Sequence, residues 1–194
     1  DSFRMKLSFL PNGNCVILPN INGRGYGFFK ITEGESSGLW SVIRSSEDEV
    51  MKGSLLITLY ENLRWKTISP QGFRDEMLAY LPNESNSLLF SMALSYLGDC
   101  QRIFPSDSRP LEQALWKIVT TNPVSQHRLQ AFRLYRSIAD SEEAVQRLYT
   151  LWQERKAPKD CALSESDYIG LSYMLALHLP EKADEIIATQ LSRI

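Results

Sequence analysis

Residues 111–120 read Leu-Glu-Gln-Ala-Leu-Trp-Lys-Ile-Val-Thr. The apolar positions Leu111, Ala114, Leu115, Ile118 and Val119 are separated by 3, 1, 3 and 1 residues. At 3.6 residues per turn all five share one face, so the stretch is an amphipathic helix with one side for a core.

The same period runs outward in both directions. Upstream, Ser46 followed by Glu49 fits a capping box, in which each residue satisfies a backbone N–H near the other. The helix then carries Val50, Leu55, Leu56, Leu59, Tyr60 and Leu63 to about Lys66. Ser69-Pro70 opens the next helix, because Pro lacks an N–H that the first turn leaves unpaired anyway. Asn83 is expected to cap an apolar helix with Leu88, Leu89, Met92, Ala93, Tyr96 and Leu97. Downstream, Asn122-Pro123 starts a helix reaching about Ala139. Asp140 or Ser141 caps the next, which turns Ala144, Val145, Leu148, Tyr149 and Trp152 inward. Ser164 and Asp167 cap a helix with Tyr168, Leu171, Leu175 and His178, and a last one holds Ala183, Ile186, Ile187, Leu191 and Ile194. About eight helices joined by short links must pack as antiparallel hairpins. No strict repeat is visible, so the expected fold is mainly α, an irregular α-α superhelix of stacked hairpins like HEAT or armadillo arrays.

The first 38 residues differ. They hold six of the ten glycines. Phe3, Met5, Leu7 and Phe9 alternate with polar residues, which reads as a strand. Residues 11–14 form a turn cluster, and Cys15-Val16-Ile17-Leu18 reads as a second strand. Asn22-Gly23-Arg24-Gly25 is another turn, followed by Tyr26, Phe28 and Ile31 as a third strand. The expected division is a short antiparallel β segment over 1–38, belonging to a larger sandwich, and a helical domain over 39–194. Tyr26 and Trp40 are expected to be buried where strands meet helices, since large aromatics beside glycine turns rarely stay exposed.

Composition narrows the function classes. Lys and Arg number 21 and Asp and Glu 23, a formal charge of −2. Without a basic excess, neither a nucleic acid nor an anionic membrane surface is an expected partner. No apolar run approaches the roughly 20 residues of a membrane span. The first residue is Asp1 rather than Met, the first residues carry no apolar signal region, and the chain reads as a piece of something longer. Cys15, Cys100 and Cys161 are odd in number and far apart, without a C-x-x-C pair. They read as small buried hydrophobes. One disulfide remains open, so the compartment is either cytoplasmic or periplasmic and secreted.

Little in the chain points to chemistry. Its two histidines, His127 and His178, belong to no H-E-x-x-H, whereas a catalytic zinc needs three protein ligands. Each sits among apolar neighbours and reads as a satisfied core or groove histidine. No G-x-S-x-G elbow is present. Gly23-x-Gly25-x-Gly27 opens a strand rather than a helix, which argues against a phosphate loop. Glu47-Asp48-Glu49 lies in a first helical turn, where the helix dipole favours negative charge. Arg128, Arg133 and Arg136 form a basic cluster, read as a solvated face or as groups meeting an acid across a groove. Arg133 and Arg136 share a helix face by their spacing of 3 residues, and Arg128 is rotated away. No cofactor is expected in this chain itself.

The stretch Asn22-Gly23-Arg24-Gly25-Tyr26-Gly27-Phe28-Phe29-Lys30 resembles the junction motif of the aminopeptidase N family of zinc metallopeptidases, with Trp40 following as a Trp does there. Tyr80-Leu81-x-x-Glu84 is similar to a further recurring piece of that family's helical domain, at the end of one helix and the start of the next. The resemblance covers the whole chain in order. It implies the end of a β-sandwich domain over 1–38 and a helical C-terminal domain, truncated, over 39–194. In the family that helical domain covers the active site and shapes access of the peptide substrate. Zinc and the general-base Glu lie in a separate upstream catalytic domain, which would be this chain's partner. The resemblance makes Tyr80 and Glu84 weak candidates for substrate contact, beside Arg128, Arg133 and Arg136. It implies that the chain alone is inactive. A helical scaffold that binds a protein partner is the alternative.

Overall fold

The computed structural model describes residues 16–25 and 27–194. The chain divides into two compact units, Asp1–Ser69 and Pro70–Ile194. The expected first strand over Phe3–Phe9, and Tyr26, lie outside the described residues.

In the first unit, α1 runs over Glu33–Ser45 and α2 over Glu49–Arg64. Helix α1 begins before Leu39 because Thr32 and Glu35 form a reciprocal capping box, a signal passed over in the glycine-rich stretch; residue 38 therefore lies inside a helix. Helix α2 starts two residues later than the expected Ser46 cap implies, because its cap is Asp48. That carboxylate accepts from the Val50 and Met51 N–H groups at 2.9 and 3.0 Å. Ser46 instead accepts from the Asp48 N–H at 3.0 Å. The two helices pack together and bury Leu39, Trp40, Ile43, Leu55, Leu56, Leu59 and Leu63.

The described residues contain no strand, which corrects the expectation for 16–18 and 27–31. The physical reason lies in α2. Ser54, Thr58 and Asn62 form a buried polar stripe along it, four residues apart. Asn62 Nδ2 donates to the Phe29 carbonyl at 2.8 Å, and its Oδ1 accepts the Ile31 N–H at 2.9 Å. Thr67 Oγ1 also donates to that oxygen, at 2.6 Å. One side-chain amide thus takes the backbone bonds that a neighbouring strand would take. The Ser54 hydroxyl donates to the Asn20 carbonyl. The expected turn is present: the Gly23 N–H donates to the Asn20 carbonyl at 2.9 Å, and the Gly25 N–H to Asn20 Oδ1 at 2.6 Å. Gly23 has φ +66°, a conformation that suits glycine.

The second unit comprises α3 (Pro70–Tyr80), α4 (Ser87–Ile103), α5 (Arg109–Thr121), α6 (Ser125–Ile138), α7 (Glu142–Glu154), α8 (Glu165–His178) and α9 (Ala183–Leu191). Single 3-10 turns, Leu81–Asn83 and Pro180–Lys182, precede α4 and α9. Sequential neighbours pack as α3 on α4, α5 on α6, α7 on α8 and α8 on α9. Helix α6 also packs on α4 and on α8. The predicted face of α5 buries Leu111, Leu115, Ile118 and Val119. Leu97, Phe132, Tyr135, Leu148, Leu171 and Leu175 are fully buried with them. Helix α4 is capped by Asn86, not Asn83: Asn86 Oδ1 accepts from the Leu88 and Leu89 N–H groups at 2.9 and 3.0 Å. The Asn83 amide turns back to the Ala79 carbonyl at 3.1 Å. Ser141 caps α7, and Ser164 with Asp167 forms the capping box of α8. The protein is mainly helical, and among the described residues no helix is long and apolar enough to cross a membrane.

Candidate functional site

The five residues singled out from sequence fall into two polar clusters of the second unit. The first lies at the α3–α4 junction. Tyr80 ends α3, and Glu84 follows the 3-10 turn; both are buried. The Tyr80 hydroxyl donates to Glu84 Oε2. Glu84 Oε1 accepts the Asn86 N–H at 2.7 Å, one step before Asn86 caps α4. Burial, then the bond to Glu84 and its charge, push the Tyr80 phenol well above the ordinary tyrosine range. The pair is a covered brace across the junction and lines neither of the two clefts described below.

His127, on α6, adjoins this brace. It is fully buried, lies flat on Phe90 at 4.0 Å and 5° between planes, and has Nε2 3.0 Å from Ser87 Oγ. Its Nδ1 is buried without a hydrogen-bond partner. The sequence identified a satisfied histidine; the structure satisfies one nitrogen only. Ser87 was passed over, because a serine in the first turn of a helix is an ordinary capping signal.

The arginines form the second cluster, around the start of α8. Arg133 grips the Asp167 carboxylate with both arms of its fork, at 2.8 and 3.1 Å. Arg136 Nη1 donates to the Asp167 carbonyl at 3.1 Å and stands 3.7 Å from Oδ1. The two do share a face. Arg128 is rotated away, where it donates to the Asn122 carbonyl, to the Lys159 carbonyl at 2.9 Å and to Asp160 at 3.3 Å. Of the three, only Arg133 has a side chain as much as half exposed. Asp167 also accepts the Ser164 hydroxyl at 2.7 Å and its N–H at 3.0 Å. Burial opposes its ionisation, but the Arg133 and Ser164 bonds outweigh burial and hold the carboxyl at about 2. Burial, next to Asp167, pushes the Cys161 thiol up to about 11, so it rests protonated. Each of the three arginines pairs with an acid of this chain, Arg133 and Arg136 with Asp167 and Arg128 with Asp160.

Two clefts open on this unit. One, of about 460 Å³, lies between the heads of α5 and α7. Glu112 fills its floor by accepting the Asp140 and Ser141 N–H groups at 2.8 and 3.1 Å and the Ser141 hydroxyl. Burial opposes the charge on Glu112, yet these bonds hold its pKa below the usual carboxylate value. The other, of about 550 Å³, runs beside α4 and α6 and is lined by Leu94, Ser95, Gly98, Leu134, Ser137 and Ile138 among others. None of the five expected residues lines either cleft. Among the described residues no group of three or more His, Cys, Asp or Glu is placed to hold a metal ion.

Comparison with models of protein families, with curated proteins and with solved structures returned no match.

Proposed function

We propose that the chain is a non-catalytic helical part of a zinc aminopeptidase of the aminopeptidase N type, in which the helices cover the active site and shape access of peptide substrates. One observation carries the reading. Tyr80-Leu81-x-x-Glu84 lies at the end of one helix and the head of the next, and Tyr80 is bonded to Glu84 there. The resemblance expects this motif at such a boundary. The Asn20–Gly25 turn, which precedes the first helix, supports the same order. The packing of α6 between α4 and α8 supports an α-α superhelix of hairpins.

The described residues do not fit a zinc site, and the reading assigns zinc and the general base to an upstream catalytic domain. Within this chain, Arg133 is the arginine best exposed to a peptide carboxylate, whereas Arg128 and Arg136 are committed to backbone carbonyls.

The test has two parts. The coding sequence upstream of Asp1 should contain an H-E-x-x-H. The longer product should hydrolyse aminoacyl chromogenic substrates in a chelator-sensitive way, while residues 1–194 alone should not. An upstream region without the motif overturns the proposal in favour of a partner-binding scaffold. Chelator-sensitive turnover that survives purification of residues 1–194 overturns it too.

A further inference from the structure

We propose that the contact of His127 with Ser87 is an acid-sensitive latch between the first turns of α4 and α6. The argument begins with the nitrogens. An imidazole without charge needs only one donor bond, and Ser87 Oγ at 3.0 Å from Nε2 can accept it. The other nitrogen then carries a lone pair, whose burial without a partner is tolerable. Protonation turns that lone pair into a charged N–H, and Nδ1 is buried with no acceptor. The ring is fully buried against the face of Phe90, so water cannot solvate the new charge. The site accommodates the neutral ring and penalises the cation.

The charges around the ring are few. Glu84, at the head of α4, acts on it and favours the cation; Tyr80 of α3 is bonded to Glu84. Glu112 of α5 faces Asp140 and Ser141. Asp167 of α8 is held by Arg133 and Arg136. On α6 itself, Arg128 turns to Asn122, Lys159 and Asp160. Among the described residues only Glu84 is an acid that acts on the imidazole, and burial outweighs it, so the pKa falls below the ordinary 6.5.

A depressed histidine pKa stabilises the fold fully above 6.5, and that stabilisation is lost as pH falls from there through the folded-state value. Within that window the opening constant of the seam rises as pH falls, by at most about tenfold per pH unit for one proton. Acid therefore loosens the seam that holds the Tyr80–Glu84 brace against α6.

Hydrogen exchange of the whole chain at about pH 7.5 and 5.5, corrected for intrinsic rates, tests this. Peptides covering residues 84–90 and 125–131 should lose protection at the lower pH more than peptides of α7. His127→Gln, which cannot charge, should remove the difference. The ring of His127 in the unaltered protein should titrate below the ordinary histidine value of 6.5. Protection unchanged with pH, an equal pH effect in the Gln variant, or an ordinary titration of His127 would each overturn the latch. If the Gln variant does not fold, the ring titration and the exchange of the unaltered protein decide.

Discussion

At the scale of single residues, Asp167 does several jobs. Its carboxylate closes the capping box of α8, takes the fork of Arg133 and stands close to Arg136, while its carbonyl accepts from Arg136. Asp167→Asn keeps the size and removes the charge. Arg133 is half exposed, so the loss falls between that of an exposed pair and that of a broken buried pair, about 2 kcal/mol. Urea midpoints at neutral pH should show it. The wild-type advantage should also shrink with acid. The folded pKa is depressed from 3.8 to about 2, so the stabilisation is present above 3.8 and is lost as pH falls through about 2. A gap between wild type and variant that persists unchanged to pH 2 would show that the charge is not what Asp167 contributes.

At the scale of elements, legibility followed locality. The helices of 49–64 and 70–191 were readable because their apolar period and caps are short-range signals, as Leu111–Val119, Ser141 and Ser164 with Asp167 illustrate. Errors arose where two similar caps competed. Asp48 prevails over Ser46 and Asn86 over Asn83, because the cap must stand immediately before the first turn with its oxygen free. Helix α1 starts at Glu33, ahead of the expected boundary at 39 and inside the glycine-rich stretch read as β, because the Thr32–Glu35 box and the burial of Leu39, Trp40 and Ile43 favour a helix there. The strand expectation for 27–31 failed because Asn62, 31 residues from Ile31, supplies the bonds. No local pattern announces such a partner. The shared face of Arg133 and Arg136 was legible from their spacing, but their acidic partner was not, since Asp167 lies 34 residues from Arg133.

Gly170 in α8 shows how an element is shaped by a side chain from another. A Cβ there would stand 2.6 Å from Arg136 Nη1, so the glycine leaves the guanidinium its path to the Asp167 carbonyl. Glycine inside a helix costs about 1 kcal/mol relative to alanine. Gly170→Ala in the native background therefore sets a helix gain against a displaced, flexible arginine, and the two should nearly cancel. In an Arg136→Ala background only the gain remains, and the same substitution should stabilise by about 1 kcal/mol. Denaturant midpoints of the four proteins give the coupling directly. Equal effects of Gly170→Ala in both backgrounds would mean that the glycine is not there for Arg136.

At the scale of the whole molecule, the second unit has what an independent domain needs. Residues 70–194 contain seven α-helices and a length within the usual domain range of about 100–150 residues. Their core has its own members, including Phe73, Met77, Phe90, Leu97, Leu115, Phe132, Tyr135, Leu148 and Leu171. Its polar braces also close within it: Tyr80 with Glu84, Arg133 with Asp167, Glu112 with Ser141, and Trp152 Nε1 donating to Gln190 at 2.8 Å. Helical caps at Asn86, Ser141 and Ser164 are likewise supplied from inside. Cut at Pro70, the fragment keeps every one of these contacts, and Pro70 is a fitting first helical residue because it needs no backbone acceptor. A polypeptide of residues 70–194 should therefore be soluble, helical by circular dichroism and cooperative in urea. Its His127 ring should titrate as in the full chain, since Ser87, Phe90 and Glu84 accompany it. A broad, non-cooperative transition, or a His127 titration moved to the ordinary value, would show that the fold of the second unit depends on residues 1–69.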